Sequence, residues 1–179
     1  QRQMCIRDRI TLHVVTAGPM DAESVLLIHG FPETWYEWRH TIEALEGNYR
    51  LIVPDTRGFG ASDKPAGPYD RKMLAADLVG VLDHFEIEQA AIVGHDWGGI
   101  IAFKLAIDWP ERTTRLALMD TLCTVWAPGA VHGYWFKAAP RPDVTMPIWV
   151  LCLGMACLYC GLNQPREASS AFNCSKALC

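Results

Sequence analysis

Five apolar runs of six or seven residues recur along the first two thirds of the chain: ITLHVV (10–15), SVLLIHG (24–30), RLIVPD (50–55), AAIVGHD (90–96) and RLALMD (115–120). Their β-branched content and their Gly, Pro and Asp borders predict buried strands rather than helices. Between them the period changes. From Asp70 to Glu86, Leu74, Leu78, Val81, Leu82 and Phe85 fall on one face of an amphipathic helix. A second helix is predicted after Asp96, through Ile100, Ile101, Leu105 and Ile107, stopping at Pro110. Strands that alternate with helices imply a mostly parallel sheet covered on both faces, so the predicted fold class is α/β.

In such a sheet, ligands sit beyond the carboxyl ends of the strands. Three strand ends are unusual here: HGFPETW, DTRGFGASDKP and GHDWGG. In the last, a strand turns directly into a helix, which forces the residue at the turn into a strained conformation. Its neighbours two before and two after must then be small, and Gly94 and Gly98 hold those places around Asp96. The Asp96 side chain is expected to project into the cavity, with the helix N-terminus favouring its ionised form. An ordinary helix N-cap is the competing reading of Asp96. The turn His29-Gly30-Phe31-Pro32 on a neighbouring strand end favours chemistry, because the N–H groups of Phe31 and Trp97 would converge on a developing negative charge.

Composition narrows the partners. Half of the 179 residues are hydrophobic, the net charge is −4, and there is no run of five like charges. One domain is expected, with a small neutral molecule as partner and neither nucleic acid nor a membrane surface. The N-terminus lacks the continuous apolar core of a secretory signal, so a cytoplasmic location is expected. The opening QRQMCIRDR (1–9) resembles translated sequencing adapter, an assembly scar, and is set aside from the expected fold. Five of the seven cysteines lie from Cys152 onward, and the composition changes near Thr145. Residues 144–179 are accordingly expected to be an unrelated or frameshifted tail. Within it, the uncharged stretch 146–162 is at the lower edge of membrane-spanning length, but its Pro and Gly content argues against a span. Cys157 and Cys160 form a CxxC without a second pair, so no metal site is expected.

HGFPETWYEWRH, DTRGFGASDKP and GHDWGG, in this order, resemble the α/β-hydrolase superfamily, in particular its epoxide hydrolase and haloalkane dehalogenase branch. The likeness runs from about Ile10 to Asp120, and more weakly to Asp143. It implies an α/β-hydrolase fold whose core begins in 10–120, with 121–143 opening a helical cap and the chain truncated at the start of that cap. It implies no cofactor and no metal. An aspartate at the elbow, where esterases of this fold carry Ser or Cys, implies attack on a tetrahedral carbon to give an alkyl ester, which water then hydrolyses.

The leaving group separates two readings. Phe31 stands where many haloalkane dehalogenases resemble one another in carrying a halide-binding Asn, and Trp97 and Ile100 stand where fluoroacetate dehalogenases carry Arg. Epoxide hydrolysis to a diol is therefore the first expectation, dehalogenation of an organohalide the second, and a non-catalytic truncated product the third. In the cap segment, His132, Tyr134 and Trp135 are candidate substrate contacts, Tyr134 as donor to an epoxide oxygen; aromatic packing is the alternative. His29 and His95 read as structural, as do Asp55, Arg57 and Asp63, while His13, His40 and His84 are poor candidates for the base. In this superfamily the order nucleophile, acid, base puts the general base late, and the last histidine here is His132. Asp120 is a candidate relocated acid. The chain is expected to be the N-terminal part of an enzyme, itself inactive.

Overall fold

The computed structural model describes residues 2–6 and 10–121. Six strands, β1 (Arg2–Ile6), β2 (Ile10–Ala17), β3 (Ser24–Ile28), β4 (Arg50–Pro54), β5 (Ala90–His95) and β6 (Thr113–Met119), form one sheet in the order β1-β2-β4-β3-β5-β6. β3 pairs in parallel with both β4 and β5, and β5 in parallel with β6, whereas β2 runs antiparallel to β4 and to β1. This is the α/β architecture expected. Residues 2–6, set aside from the expected fold, are hydrogen-bonded to β2 in the register Arg2↔Val14 to Ile6↔Ile10.

The inner strands β3, β4 and β5 are apolar at most positions because both faces are covered. Leu26, Ile28, Ile52, Ile92 and Leu116 face α2 (Arg71–His84) and α3 (Trp97–Asp108) in the larger core cluster. The alternate residues Val25, Leu27, Leu51 and Val53 face the opposite way, against Trp38 and Ile42. Those two come from a 3-10 turn (Trp35–Trp38) and α1 (Arg39–Leu45), neither singled out by periodicity.

Asp70, where the predicted helical run begins, caps α2 and accepts from the N–H groups of Lys72 and Met73 at 3.0 Å each. Leu74, Leu78, Val81 and Leu82 of the predicted stripe are buried, each contributing about 2 kcal/mol of apolar burial. In α3, Ile101 and Leu105 are buried while Ile107 points to solvent. The helix ends at Asp108, with only Trp109 between it and the break imposed by Pro110.

Candidate active site

β3 and β5 are neighbours, so their carboxyl ends lie side by side and deliver the two motifs to one edge. At the end of β5, Asp96 adopts φ 47°, ψ −116°, a conformation that costs an L-residue on the order of 1–3 kcal/mol and persists only if its surroundings fix it. They do. The Asp96 N–H donates to Met119 O at 2.9 Å, and its carbonyl accepts from Gly99 N–H at 3.1 Å and from the Thr121 hydroxyl at 2.6 Å. The side chain makes no capping hydrogen bond to α3, which removes the N-cap explanation for its presence.

The glycines leave no room for alternatives. A Cβ on Gly94 would stand 2.4 Å from Gly98 O, and a Cβ on Gly98 would stand 2.4 Å from the carbonyl oxygens of Ile28 and His29. The N-terminus of α3 therefore rests directly on the end of β3. Across this contact the Phe31 N–H donates to Asp96 Oδ2 at 3.0 Å. Trp97 opens α3, so its N–H has no acceptor within the helix. The Phe31–Pro32 peptide bond is cis.

His29 is buried at 2 % exposure and is held at both ring nitrogens. Its Nε2 accepts from the Thr56 N–H at 3.0 Å, which makes Nδ1 the protonated nitrogen, donating to Gly30 O at 2.8 Å. Burial pushes its pKa below the ordinary value, despite opposing contributions from the Gly30 carbonyl, Asp55 and Glu33. A neutral, doubly bonded imidazole shapes the loop and has no free nitrogen for catalysis.

The middle motif is also structural. Asp55, fully buried, accepts from Trp35 N–H at 2.8 Å and Ala61 N–H at 3.0 Å and touches His13 Nδ1 at 2.9 Å. Gly60, at φ 51°, has no Cβ because one would overlap the Asp55 carboxylate. Arg57 forms a buried two-pronged pair with Asp77 at 2.7 and 2.8 Å, and Asp63 accepts from Thr11 N–H. His40 is exposed beside Glu43, and His84 stacks edge-on to Phe85 at the end of α2, so neither approaches Asp96.

Above the elbow is an open cavity of about 370 Å³, lined by Phe31, Trp97, Phe59, Tyr69, Leu74 and Thr56 among others. Its walls are mostly apolar. Phe31 and Trp97 remain 67 % and 43 % exposed, large apolar surfaces that suit an apolar ligand. Tyr134 and His132 lie outside the described residues.

A second cluster escaped the sequence reading. Glu37, in the 3-10 turn, accepts from Gly30 N–H through Oε2 at 2.8 Å, and its Oε1 lies 2.5 Å from His95 Nδ1, off the line of a ring N–H donor. Glu33 Oε2 is 3.7 Å from the same nitrogen, and Asp120 Oδ2 is 4.0 Å from His95 Nε2. Burial pushes the Glu37 carboxyl up to about 7; the Gly30 N–H and His95 pull it down, while Glu33 adds to the rise. Glu33, Glu37 and His95 offer donor atoms within 4.8 Å of one another, but Glu37 Oε2 is already engaged by the Gly30 N–H. The signal in the sequence was thin: two glutamates four apart in HGFPETWYEW.

A family model of the alpha/beta hydrolase fold matches residues 23–139. The chain belongs to the alpha/beta hydrolase family. Within that family its likeness falls in the epoxide hydrolase branch. It is 46 % identical over 166 residues to epoxide hydrolase 3 of Siraitia grosvenorii, covering 91 % of this chain and 48 % of that protein. It is 39 % identical over 111 residues to the soluble epoxide hydrolase of Corynebacterium sp. (strain C12), covering 62 % of this chain and 38 % of that one. Among solved structures, epoxide hydrolase VrEH1 from Vigna radiata superposes with a TM-score of 0.67 at 34 % identity, over 72 % of this chain and 42 % of that chain.

This alpha/beta hydrolase spans about half or less of the length of these relatives. A match to 91 % of 179 residues takes in residues 18–162 from whichever end it is counted, so the likeness extends past Thr145, where the composition changes. No helix among the described residues is long and apolar enough to cross a membrane.

Proposed function

We propose that this chain carries the nucleophilic part of an epoxide hydrolase, with Asp96 as the nucleophile. The observation that carries the reading is the Asp96 carboxylate, held at a strained turn, unused as a cap, and accepting the Phe31 N–H at 3.0 Å. That bond occupies Oδ2 and leaves Oδ1 to attack. Oδ1 forms a bond to an epoxide carbon, the C–O bond of the ring breaks, and the departing alkoxide takes a proton from a donor, the role proposed for Tyr134. The product of this step is an alkyl ester of Asp96. Water then adds to the ester carbonyl, the N–H groups of Phe31 and Trp97 hold the resulting oxyanion, and collapse releases a diol and the carboxylate.

Chemistry favours the epoxide over an organohalide. A halide needs a second N–H donor beside a tryptophan indole, and the Phe31 side chain has none. The apolar cavity wall suits a small neutral substrate, and the names of the relatives support the same substrate class. No step calls for a metal or cofactor.

The addition of water requires a base. Among the described histidines, His13 and His29 are held by buried partners, His40 and His84 are remote, and His95 lies against Glu37. The described residues therefore account for formation of the ester and not for its hydrolysis, and the ester is expected to accumulate unless a base comes from outside them.

The test is intact-mass and peptide mass spectrometry after incubation with styrene oxide. Addition of one substrate mass to the peptide bearing Asp96, and its loss in Asp96→Asn, is the expected result. An unlabelled wild-type chain, or equal labelling of Asp96→Asn, overturns the reading.

A further inference from the structure

Two backbone positions set the geometry of the reacting carboxylate: Phe31, whose N–H reaches Asp96 Oδ2, and Asp96 itself. A single side chain is hydrogen-bonded to one of the residues just before them, Gly30, and in close contact with the other, His95. Glu37 accepts from the Gly30 N–H with one oxygen and lies against His95 Nδ1 with the other. Its side chain is 15 % exposed and sits on the short turn that follows the HGFP loop. Resting on the assignment of Asp96 above, we propose that Glu37 is a positioning residue, a carboxylate brace that fixes the Phe31 N–H against Asp96 by tying the loop after β3 to the end of β5.

Three observations support a brace rather than an incidental contact. First, the two tied segments approach so closely that a Cβ on Gly30 would stand 3.0 Å from both Asp96 Cβ and His95 Nδ1, so a shift of either moves the reacting atoms. Second, the β-sheet bonds of β3 end at Ile28, paired with Gly94, so Gly30 and Phe31 have left the ladder that holds the strands. Other bonds must fix them, and the Gly30 N–H has Glu37. Third, a charged acceptor makes a stronger bond to an amide than a neutral one, so the hold depends on the charge of Glu37. The groups facing it are Glu33 from the loop before the turn, His95 from β5, and, beyond His95, Asp120 after β6.

Two measurements test the brace, and they fail separately from the nucleophile assignment. The first is the rate of ester formation on Asp96 with styrene oxide in the wild type, Glu37→Ala and Glu37→Gln. Misplacement of a reacting group by about 1 Å costs up to about 100-fold, so Glu37→Ala is expected to slow ester formation by roughly 10-fold or more. Glu37→Gln, which keeps a carbonyl oxygen for Gly30 but not the charge, recovers part of that loss. The second reads the amide ¹H–¹⁵N shifts of Gly30 and Phe31 against pH. Both are expected to titrate together with a midpoint near 7 in the wild type and to lose that midpoint in Glu37→Gln. Equal rates in wild type and Glu37→Ala, or an amide titration unchanged in Glu37→Gln, overturns the proposal. A wild-type chain that forms no ester indicts Asp96 instead, and the amide titration still decides the brace, including where Glu37→Ala does not fold.

Discussion

The Phe31 N–H and the Asp96 carboxylate meet at 3.0 Å although 65 positions of sequence separate them. Only the parallel pairing of β3 with β5 brings their strand ends together, so the contact reports on the whole inner sheet. It also separates the backbone of residue 31 from its side chain. Phe31→Ala keeps the N–H and is expected to form the Asp96 ester within several-fold of the wild-type rate, whereas Phe31→Pro removes the donor that positions the carboxylate and is expected to lose up to about 100-fold. Single-turnover labelling by mass spectrometry compares the two, and equal losses would place the effect in the aromatic ring.

Packing makes a prediction for the glycines of the elbow. Alanine at Gly98 would press its methyl into the carbonyls of Ile28 and His29, both backbone atoms that cannot turn aside. Urea denaturation should show Gly98→Ala destabilised by at least about 2 kcal/mol. Gly47→Ala, where a Cβ meets nothing within 4 Å, is the control expected to change little.

The buried pair of Arg57 and Asp77 links the loop after β4 to α2. Removing one partner strands a charge in a site less than a tenth exposed, and Asp77→Ala is expected to cost about 3–5 kcal/mol. Replacing both residues by apolar ones of similar volume should recover much of that loss in the same denaturation experiment. Failure to recover would mean that the guanidinium has a further task at the cavity wall, where Arg57 also lies.

Stability against pH should be limited from both sides. His29 has a lowered pKa in the folded chain, so its contribution is present above the ordinary value of 6.5 and is lost as the pH falls. Glu37 has a raised pKa, so its contribution is present below 4.5 and is lost as the pH rises through about 7. Thermal unfolding over this range should show His29→Gln flattening the acid side and Glu37→Gln flattening the alkaline side. A Tm profile that neither substitution alters would remove both groups from the account.

The elements that were legible in the sequence are those whose cause is local and periodic. The strands from β2 to β6 announce themselves as short apolar runs, α2 as a stripe with Asp70 before it, and the elbow as glycines spaced around Asp96. What was illegible depends on tertiary contacts. α1 and the turn before it are an exception: Trp35, Trp38, Ile42 and Leu45 pack on the second face of the sheet at helical spacing, a period the sequence carries over two short elements. Glu37 matters only because Gly30 and His95 come to it from two strand ends, and no spacing in the sequence encodes that meeting. The pairing of residues 2–6 with β2 likewise rests on backbone hydrogen bonds, which side-chain pattern does not report.

Gly98 lies on the carbonyls of β3, while much of the cavity wall comes from the segment between β4 and α2. Phe31 and Trp97, beside the proposed reacting atoms, thus share the cavity wall with a different stretch of chain. Tyr69, 39 % exposed, belongs to neither motif, whereas Phe59 stacks on Phe31 and His29 and Leu74 is buried in the core, so evolution or a designer has one wall position to vary freely and two that are tied to the bond-making geometry.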